Sequence, residues 1–145
     1  MSREDAEILW QMMQNESHNY MKGFAPFQSL SQLVQSIAAA EKDAYACLML
    51  RDERAGFFML RGLDAGYSRP SFGLYVASHA SQNGIAAYGL HEAIEICNER
   101  KIAKIFLKVA KDNVIAKRLY AGVGFEVDGV CHDTGHITME YETGI

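Results

Sequence analysis

With 145 residues, 49% of them hydrophobic and 22% charged, the chain has the size and composition of one soluble globular domain spanning residues 1–145. Its formal net charge of −4 provides no basic surface for nucleic acid, and no apolar run approaches the roughly 20 residues of a membrane span. Cys47, Cys97 and Cys131 include no Cys-x-x-Cys pair, so we expect no metal site and no disulfide framework, and a reducing cytoplasm suits these thiols. The oligomeric state stays open, a homodimer included.

The first part of the chain predicts two helices separated by a loop. Ser2 is a suitable N-cap, acidic residues follow it in the first turn, and an apolar stripe continues the helix to about residue 15. Asn15–Gln28 is predicted to be a loop dense in aromatic and polar side chains, and Ser29 or Ser31 then caps a second helix. Loops carry specificity more often than packed elements do, although the two phenylalanines of this loop could equally fill the core.

The remainder of the chain predicts strands joined by helices and turns. Tyr45–Leu50 and Ala55–Leu63, joined by a polar turn, form a predicted hairpin. Helical patterns begin at Ile85 and at Asn113, and further strands are predicted at Leu74–Val76, Lys104–Val109, Val127–Cys131 and His136–Tyr141. The order αα, ββ, βα, βα, ββ indicates an α/β (α+β) fold with a mixed sheet flanked by helices.

The stretch from Ser71 to Asp128 carries the most information about function. It opens with the buried strand Leu74–Val76, a polar loop that ends at Gly84, and the start of a long helix. The first N–H groups of a helix have no internal partner and the helix dipole adds to their attraction for an anion, so such a connection can hold a phosphate. Gly84 would allow a ligand to approach the backbone closely. An ordinary strand–helix connection has the same pattern, so the loop alone does not distinguish a phosphate site from a plain connection.

Two motifs in this stretch resemble those of the GNAT superfamily of acetyl-CoA-dependent N-acyltransferases. Its pyrophosphate-loop pattern, Arg/Gln-x-x-Gly-x-Gly/Ala, resembles the run Ser81, Gln82, Asn83, Gly84, Ile85 and Ala86. Its second signature, Asn-x-x-Ala-x-x-x-Tyr-x-x-x-Gly-Phe, is matched in full by Asn113, Ala116, Tyr120, Gly124 and Phe125. The resemblance implies a mostly antiparallel sheet flanked by helices. It also implies a strand before the first helix, and we expect that strand to be missing here.

The resemblance implies where acetyl-CoA lies. The pantetheine arm would pair with the main chain of Leu74, Tyr75 and Val76, where a bulge would open the sheet and free an N–H near Val76 for the thioester oxygen. The pyrophosphate would lie on Ser81, Gln82, Asn83, Gly84, Ile85, Ala86 and Ala87. Asn113 would contact the pantetheine, cap its helix, or do both. Ser81 lacks the charge and the reach of the Arg or Gln that the family has there. We therefore expect the affinity for acetyl-CoA to be roughly tenfold lower, a loss that Gln82 could partly compensate.

The implied reaction is direct transfer of an acetyl group from acetyl-CoA to a primary amine of a small molecule or peptide. Tyr120 would be the general acid that protonates the leaving thiolate, because a phenol with a reference pKa of about 10 keeps its proton. The competing interpretation is a tyrosine that only packs in the core. The general base is not readable: the candidates are loop or strand-end residues without a motif, namely His18, Glu53, His79, His132 and Asp133.

The resemblance places the acceptor against Asn15–Gln28, and we expect the turn His132–Gly135 to affect its identity as well. An alternative function is an acyl-CoA-binding sensor or regulatory module with little turnover, which Ser81 and the missing strand favour and Tyr120 opposes. An unrelated nucleotide-binding protein is disfavoured because neither Gly-x-Gly-x-x-Gly nor Gly-Lys-Ser/Thr occurs.

Overall fold

The computed structural model describes residues 1–144. The helices are α1 (Arg3–Asn15), α2 (His18–Met21), α3 (Leu30–Ala39), α4 (Ile85–Glu99) and α5 (Val114–Val123). The strands are β1 (Ala44–Leu50), β2 (Glu53–Arg61), β3 (Ser71–Val76), β4 (Lys104–Val109), β5 (Glu126–Val130) and β6 (Ile137–Glu142). Within the described range, none of the helices combines the length and the apolar character that crossing a membrane requires.

The strands form one six-stranded sheet in the order β1-β2-β3-β4-β6-β5. Every neighbouring pair is antiparallel except β3 and β4, which run parallel. The predicted mixed, mostly antiparallel sheet is therefore confirmed. In the described chain α1 is the first element, and β1 is an edge of the sheet.

Side-chain caps determine where α1, α2 and α3 begin. The Ser2 hydroxyl accepts from the Asp5 N–H at 3.0 Å while the Asp5 carboxylate accepts from the Ser2 N–H at 2.9 Å, a reciprocal capping box for α1. The Ser29 hydroxyl accepts from the Gln32 N–H at 3.1 Å and caps α3, without the reciprocal bond. Ser17 accepts from the Tyr20 N–H at 3.1 Å and starts the one-turn helix α2. The predicted loop over residues 15–28 therefore contains a short helix, whose single turn is too brief for a periodic pattern to reveal.

The hairpin turn is tighter than predicted. Only Arg51 and Asp52 lie between β1 and β2, and both have positive φ angles, 52° and 65°. Two left-handed residues match the twist of a tight hairpin, so β2 already begins at Glu53. It ends at Arg61, because Gly62 turns the chain with a φ of 104°.

Helices cover the sheet on both faces. α4 packs on β1 to β3, where a Cβ on Gly89 would lie 2.9 Å from Leu48 Cδ1 and 3.5 Å from Leu74 Cδ1. α1 packs on α3 and β2. Tyr75, the neighbour of Leu74, points its hydroxyl at Glu16 just after α1, so α1 and α4 lie on opposite faces. This arrangement leaves the ends of β3 and β4 between the two helical layers.

Candidate active site

The candidate site is a gap between the parallel strands β3 and β4. Their register contains one pair, Ser71 with Phe106, and the Phe106 N–H donates to the Pro70 carbonyl at 3.0 Å. Beyond that pair the strands separate, while β3 stays paired with β2 in unbroken register as far as Val76. The expected bulge near Val76 is therefore wrong. The sheet opens because β4 diverges from a regular β3.

The main chain of β3 presents to this gap groups that have no partner on a neighbouring strand. In an antiparallel pair, alternate residues bond to the neighbouring strand. The Ala77 N–H donates to the Ala55 carbonyl at 2.7 Å, so the N–H and C=O groups of Leu74 and Val76 point away from β2 and into the gap. The main chain of Tyr75 points to β2 instead. Of the three strand residues predicted to meet the coenzyme, two therefore face the gap through their backbone.

A loop with unpaired N–H groups follows β3. After a 3₁₀ turn, Ser78–Ala80, the backbone takes positive φ angles at Gln82 (68°) and Gly84 (79°) before α4 begins. The N–H groups of residues 82–87 make no hydrogen bond to any described group, and the first one that does is Tyr88 N–H to the Gly84 carbonyl at 3.0 Å. Such a run of free donors at a helix start suits an anion.

The polar side chains of this loop hold its shape. The Ser81 hydroxyl donates to the Ser78 carbonyl at 2.8 Å, and the Asn83 amide donates to the Ala80 carbonyl at 3.2 Å. Ser81 is therefore directed back onto its own loop, and Gln82 is exposed. A Cβ at Gly84 would meet no atom within 4 Å, so the space over the helix start is open.

Tyr120 lies in α5, whose start is capped where Asn113 Oδ1 accepts from the Ala116 N–H at 3.2 Å. Its ring meets Phe72 edge-on, with centroids 6.3 Å apart, and Phe125 at 5.8 Å. Burial raises the pKa of Tyr120 to about 12. Its hydroxyl makes no hydrogen bond to residues 1–144. Every fully buried side-chain nitrogen or oxygen in that range does have a hydrogen-bond partner. The Tyr120 hydroxyl is therefore not fully buried.

Two residues at this site were missed by the sequence reasoning. The Glu16 carboxylate accepts from the Tyr75 hydroxyl at 2.7 Å, from the Ser78 N–H at 2.9 Å and from the Ser78 hydroxyl at 2.6 Å. The Tyr20 hydroxyl donates to the Val76 carbonyl at 2.5 Å. No local signal identifies either one, because their partners lie 56 to 62 residues away in the sequence.

The Glu16 carboxylate is ionised at neutral pH. Burial pushes its pKa upward, but the hydrogen bonds from Ser78 and from the Tyr75 hydroxyl outweigh that effect and lower the pKa below its usual range. The pKa of Tyr75 is raised, first by burial and then by its bond to this carboxylate. The pair therefore consists of a charged acceptor and a neutral donor.

The five candidate bases lie at separate places. His18 is in α2, Glu53 starts β2, His79 is in the 3₁₀ turn, and His132 and Asp133 are in the turn between β5 and β6. All five side chains are exposed and none makes a hydrogen bond within the described range. The structure does not bring them together.

A sheet that opens between its two parallel strands, beside a helix start with free N–H groups, is the arrangement of an acyl-CoA-binding acyltransferase. Residues 9–125 match the model of the acetyltransferase (GNAT) family, and the chain belongs to this family. The family uses acetyl-CoA as its acyl donor, so the chain is an acetyl-CoA-dependent acyltransferase. No curated protein matches its sequence.

Solved structures share the fold at low sequence identity. PaiA N-acetyltransferase of Thermoplasma acidophilum, in complex with coenzyme A, is 18% identical with a TM-score of 0.79, covering 98% of this chain and 95% of that one. The ribosomal-protein-S18-alanine N-acetyltransferase of Escherichia coli is 16% identical with a TM-score of 0.77, covering 100% and 92%. Mycobacterium smegmatis RimJ with CoA-disulfide is 16% identical with a TM-score of 0.80, covering 98% and 79%. These likenesses concern the fold.

Proposed function

We propose that the chain transfers the acetyl group of acetyl-CoA to a primary amine of a small molecule or a peptide. The observation that carries the proposal is the gap between β3 and β4, where the main-chain groups of Leu74 and Val76 have no strand partner. A pantetheine arm has amide groups that can pair with them as a further strand would. Its pyrophosphate then reaches the free N–H groups of residues 82–87.

The position of Tyr120 supports Leu74 as the residue whose N–H faces the thioester. A strand rises about 3.3 Å per residue, so Leu74 lies about 7 Å and Val76 about 13 Å along β3 from Phe72. Tyr120 packs against Phe72. If its hydroxyl is to reach the sulfur, the adjoining carbonyl belongs at Leu74, with Val76 pairing with the arm nearer the pyrophosphate. This refines the expectation that the donor lies near Val76.

The reaction then needs little covalent chemistry from the protein. The amine nitrogen attacks the thioester carbon, and the Leu74 N–H stabilises the charge that develops on oxygen. The carbon–sulfur bond breaks, the Tyr120 hydroxyl gives its proton to the sulfur, the nitrogen loses its extra proton to water, and water returns a proton to the Tyr120 phenolate. A phenol with a pKa raised to about 12 holds that proton until the thiolate forms.

The acceptor is proposed to enter beside residues 16–28, on the face opposite α4. One structural neighbour acetylates the alanine of a ribosomal protein, which supports keeping a peptide amine in the acceptor class beside small amines. Ser81 favours a second candidate, an acyl-CoA sensor with little turnover, because its hydroxyl already donates a hydrogen bond within its own loop.

Incubation with acetyl-CoA and a panel of amines tests the proposal. The panel contains amino-sugars, polyamines, amino-acid amides and short peptides. The reaction is monitored by release of the coenzyme A thiol, and the products are identified by mass spectrometry. We expect one acetyl group on the amine nitrogen of at least one acceptor. Calorimetric binding of coenzyme A without transfer to any amine would instead support the sensor.

A further inference from the structure

Residues 16–23, called the strap below, cross the wide end of the gap. On the β3 side, Glu16 holds Ser78 and the Tyr75 hydroxyl, and Tyr20 holds the Val76 carbonyl. On the other side, Lys22 pairs with Asp112 at 3.4 Å, just before α5. The last residue of the strap, Gly23, lies against the His136 ring, from which a Cβ would be 3.5 Å. The strap thus touches both walls of the gap.

Glu16 makes the strongest of these contacts. Its two oxygens accept three hydrogen bonds, and those to an ionised group are about twice as strong as bonds between neutral groups. By contrast, Lys22 and Asp112 are both well exposed, at 64% and 68%, so their ion pair contributes little.

Ser78 is where the coenzyme loop begins. It is the first residue of the 3₁₀ turn, and its carbonyl also holds the Ser81 hydroxyl. A contact that holds Ser78 in place therefore also holds the start of the loop whose N–H groups are proposed to bind the pyrophosphate. Less ordering is then required when the ligand binds, which raises affinity.

We propose that Glu16 is a positioning residue that couples coenzyme occupancy to the position of the strap. The inference rests on the proposed function, because it takes the loop as the pyrophosphate site. Coupling is reciprocal: if Glu16 holds the loop ready for coenzyme, then bound coenzyme holds Glu16 and, through it, the acceptor side. The Val76 carbonyl has two lone pairs, so Tyr20 keeps its bond when pantetheine takes the second.

The chain carries its own reporter for this coupling. Trp10 is its one tryptophan. It lines a cavity of about 220 Å³ together with Glu16, His18, Met21 and Phe24. A change in the strap therefore changes the surroundings of this indole, and no label is needed.

The experiment titrates coenzyme A into the full chain and follows Trp10 fluorescence alongside calorimetry. In the parent we expect a saturable fluorescence change with the calorimetric Kd. In Glu16→Ala, coenzyme still binds, the Kd rises at least about fivefold, and the fluorescence change is lost or greatly reduced. Glu7→Ala, on the same helix with an exposed ion pair to Arg3, is the matched control and should behave as the parent.

Glu16→Gln separates hydrogen bonding from charge. The amide oxygen can accept from the Ser78 N–H and the Tyr75 hydroxyl, and its NH₂ can donate to the Ser78 hydroxyl. We expect this variant to keep the fluorescence change and to have a Kd between those of the parent and Glu16→Ala, because it retains the three bonds without the charge. Failure of the glutamine to rescue would overturn the proposal, since it assigns the role to the bonds. If the alanine variant does not fold, Ser78→Ala provides the same comparison with one bond fewer.

Two further outcomes overturn the inference. One is a parent whose Trp10 emission does not change while calorimetry shows saturation with coenzyme A. The other is a Glu16→Ala variant with unchanged Kd and unchanged fluorescence response. A parent that does not bind coenzyme A at all refutes the proposed function itself, so the two failures are distinguishable.

Discussion

Replacing Gly84 with valine should strongly weaken coenzyme binding and leave the fold intact. Gly84 precedes α4 with φ 79° and ψ 3°, and a Cβ there would meet no atom within 4 Å. The substitution therefore causes no clash inside the protein. Its cost to folding is the left-handed backbone, about 2 kcal/mol for a branched residue, which lowers Tm by roughly 4–8 °C.

Coenzyme binding should suffer more than folding does. The valine side chain would occupy the open space over the free N–H groups of residues 82–87, where the proposal places the pyrophosphate. Loss of one hydrogen bond to a charged group costs about 1.5–3 kcal/mol, so Kd should rise at least about tenfold. Gly66→Val is the matched control, because Gly66 has φ 97° and open space around it but lies in the β2–β3 loop. It should lose similar stability and keep the parent's Kd.

Thermal unfolding and calorimetric titration with acetyl-CoA measure both quantities on each variant. A Gly84→Val protein that binds coenzyme as tightly as the parent does would refute the placement of the pyrophosphate. So would an equal loss of affinity in the two variants, since it would trace the effect to general destabilisation.

Three further predictions follow from the site. Tyr120→Phe should lower turnover about 100-fold with a nearly unchanged coenzyme Kd, because the hydroxyl acts only when the sulfur carries charge; a loss below about threefold would leave Tyr120 as a packing residue. Ser81→Arg should tighten coenzyme binding about tenfold, measured by calorimetry; no gain would show that another group, for example Gln82, already makes the phosphate contact that the arginine was meant to supply. Because burial raises the pKa of Tyr120 to about 12, the acid stays protonated and turnover should not fall between about pH 8 and pH 10; a decline centred near 10 would contradict this role.

Local signals predicted much of the fold. β4 has the predicted bounds, Lys104–Val109, because every second residue along it is apolar and buried. Asn113 starts α5 as expected, since an asparagine side chain can cap the first turn. The two sequence motifs also follow the strands that border the gap, one after β3 and one after β4.

What the sequence could not predict depends on distant partners. The sequence resemblance predicts that a bulge in β3 opens the sheet, whereas the opening arises where β4 leaves β3 after Phe106. Glu16 and Tyr20 appeared as ordinary polar residues, because only the folded chain brings them to Ser78 and Val76. A contact across some 60 residues leaves no periodic or spacing signal in one sequence.

Amide hydrogen exchange at β3 tests the central claim, that coenzyme pairs with the main chain in the gap. The N–H groups of Leu74 and Val76 have no strand partner, whereas the Ala77 N–H is already bonded to the Ala55 carbonyl. On addition of saturating coenzyme A, followed by NMR, exchange at Leu74 and Val76 should slow markedly while Ala77 stays protected throughout. Saturation with coenzyme A that leaves exchange at Leu74 and Val76 unchanged would contradict the account.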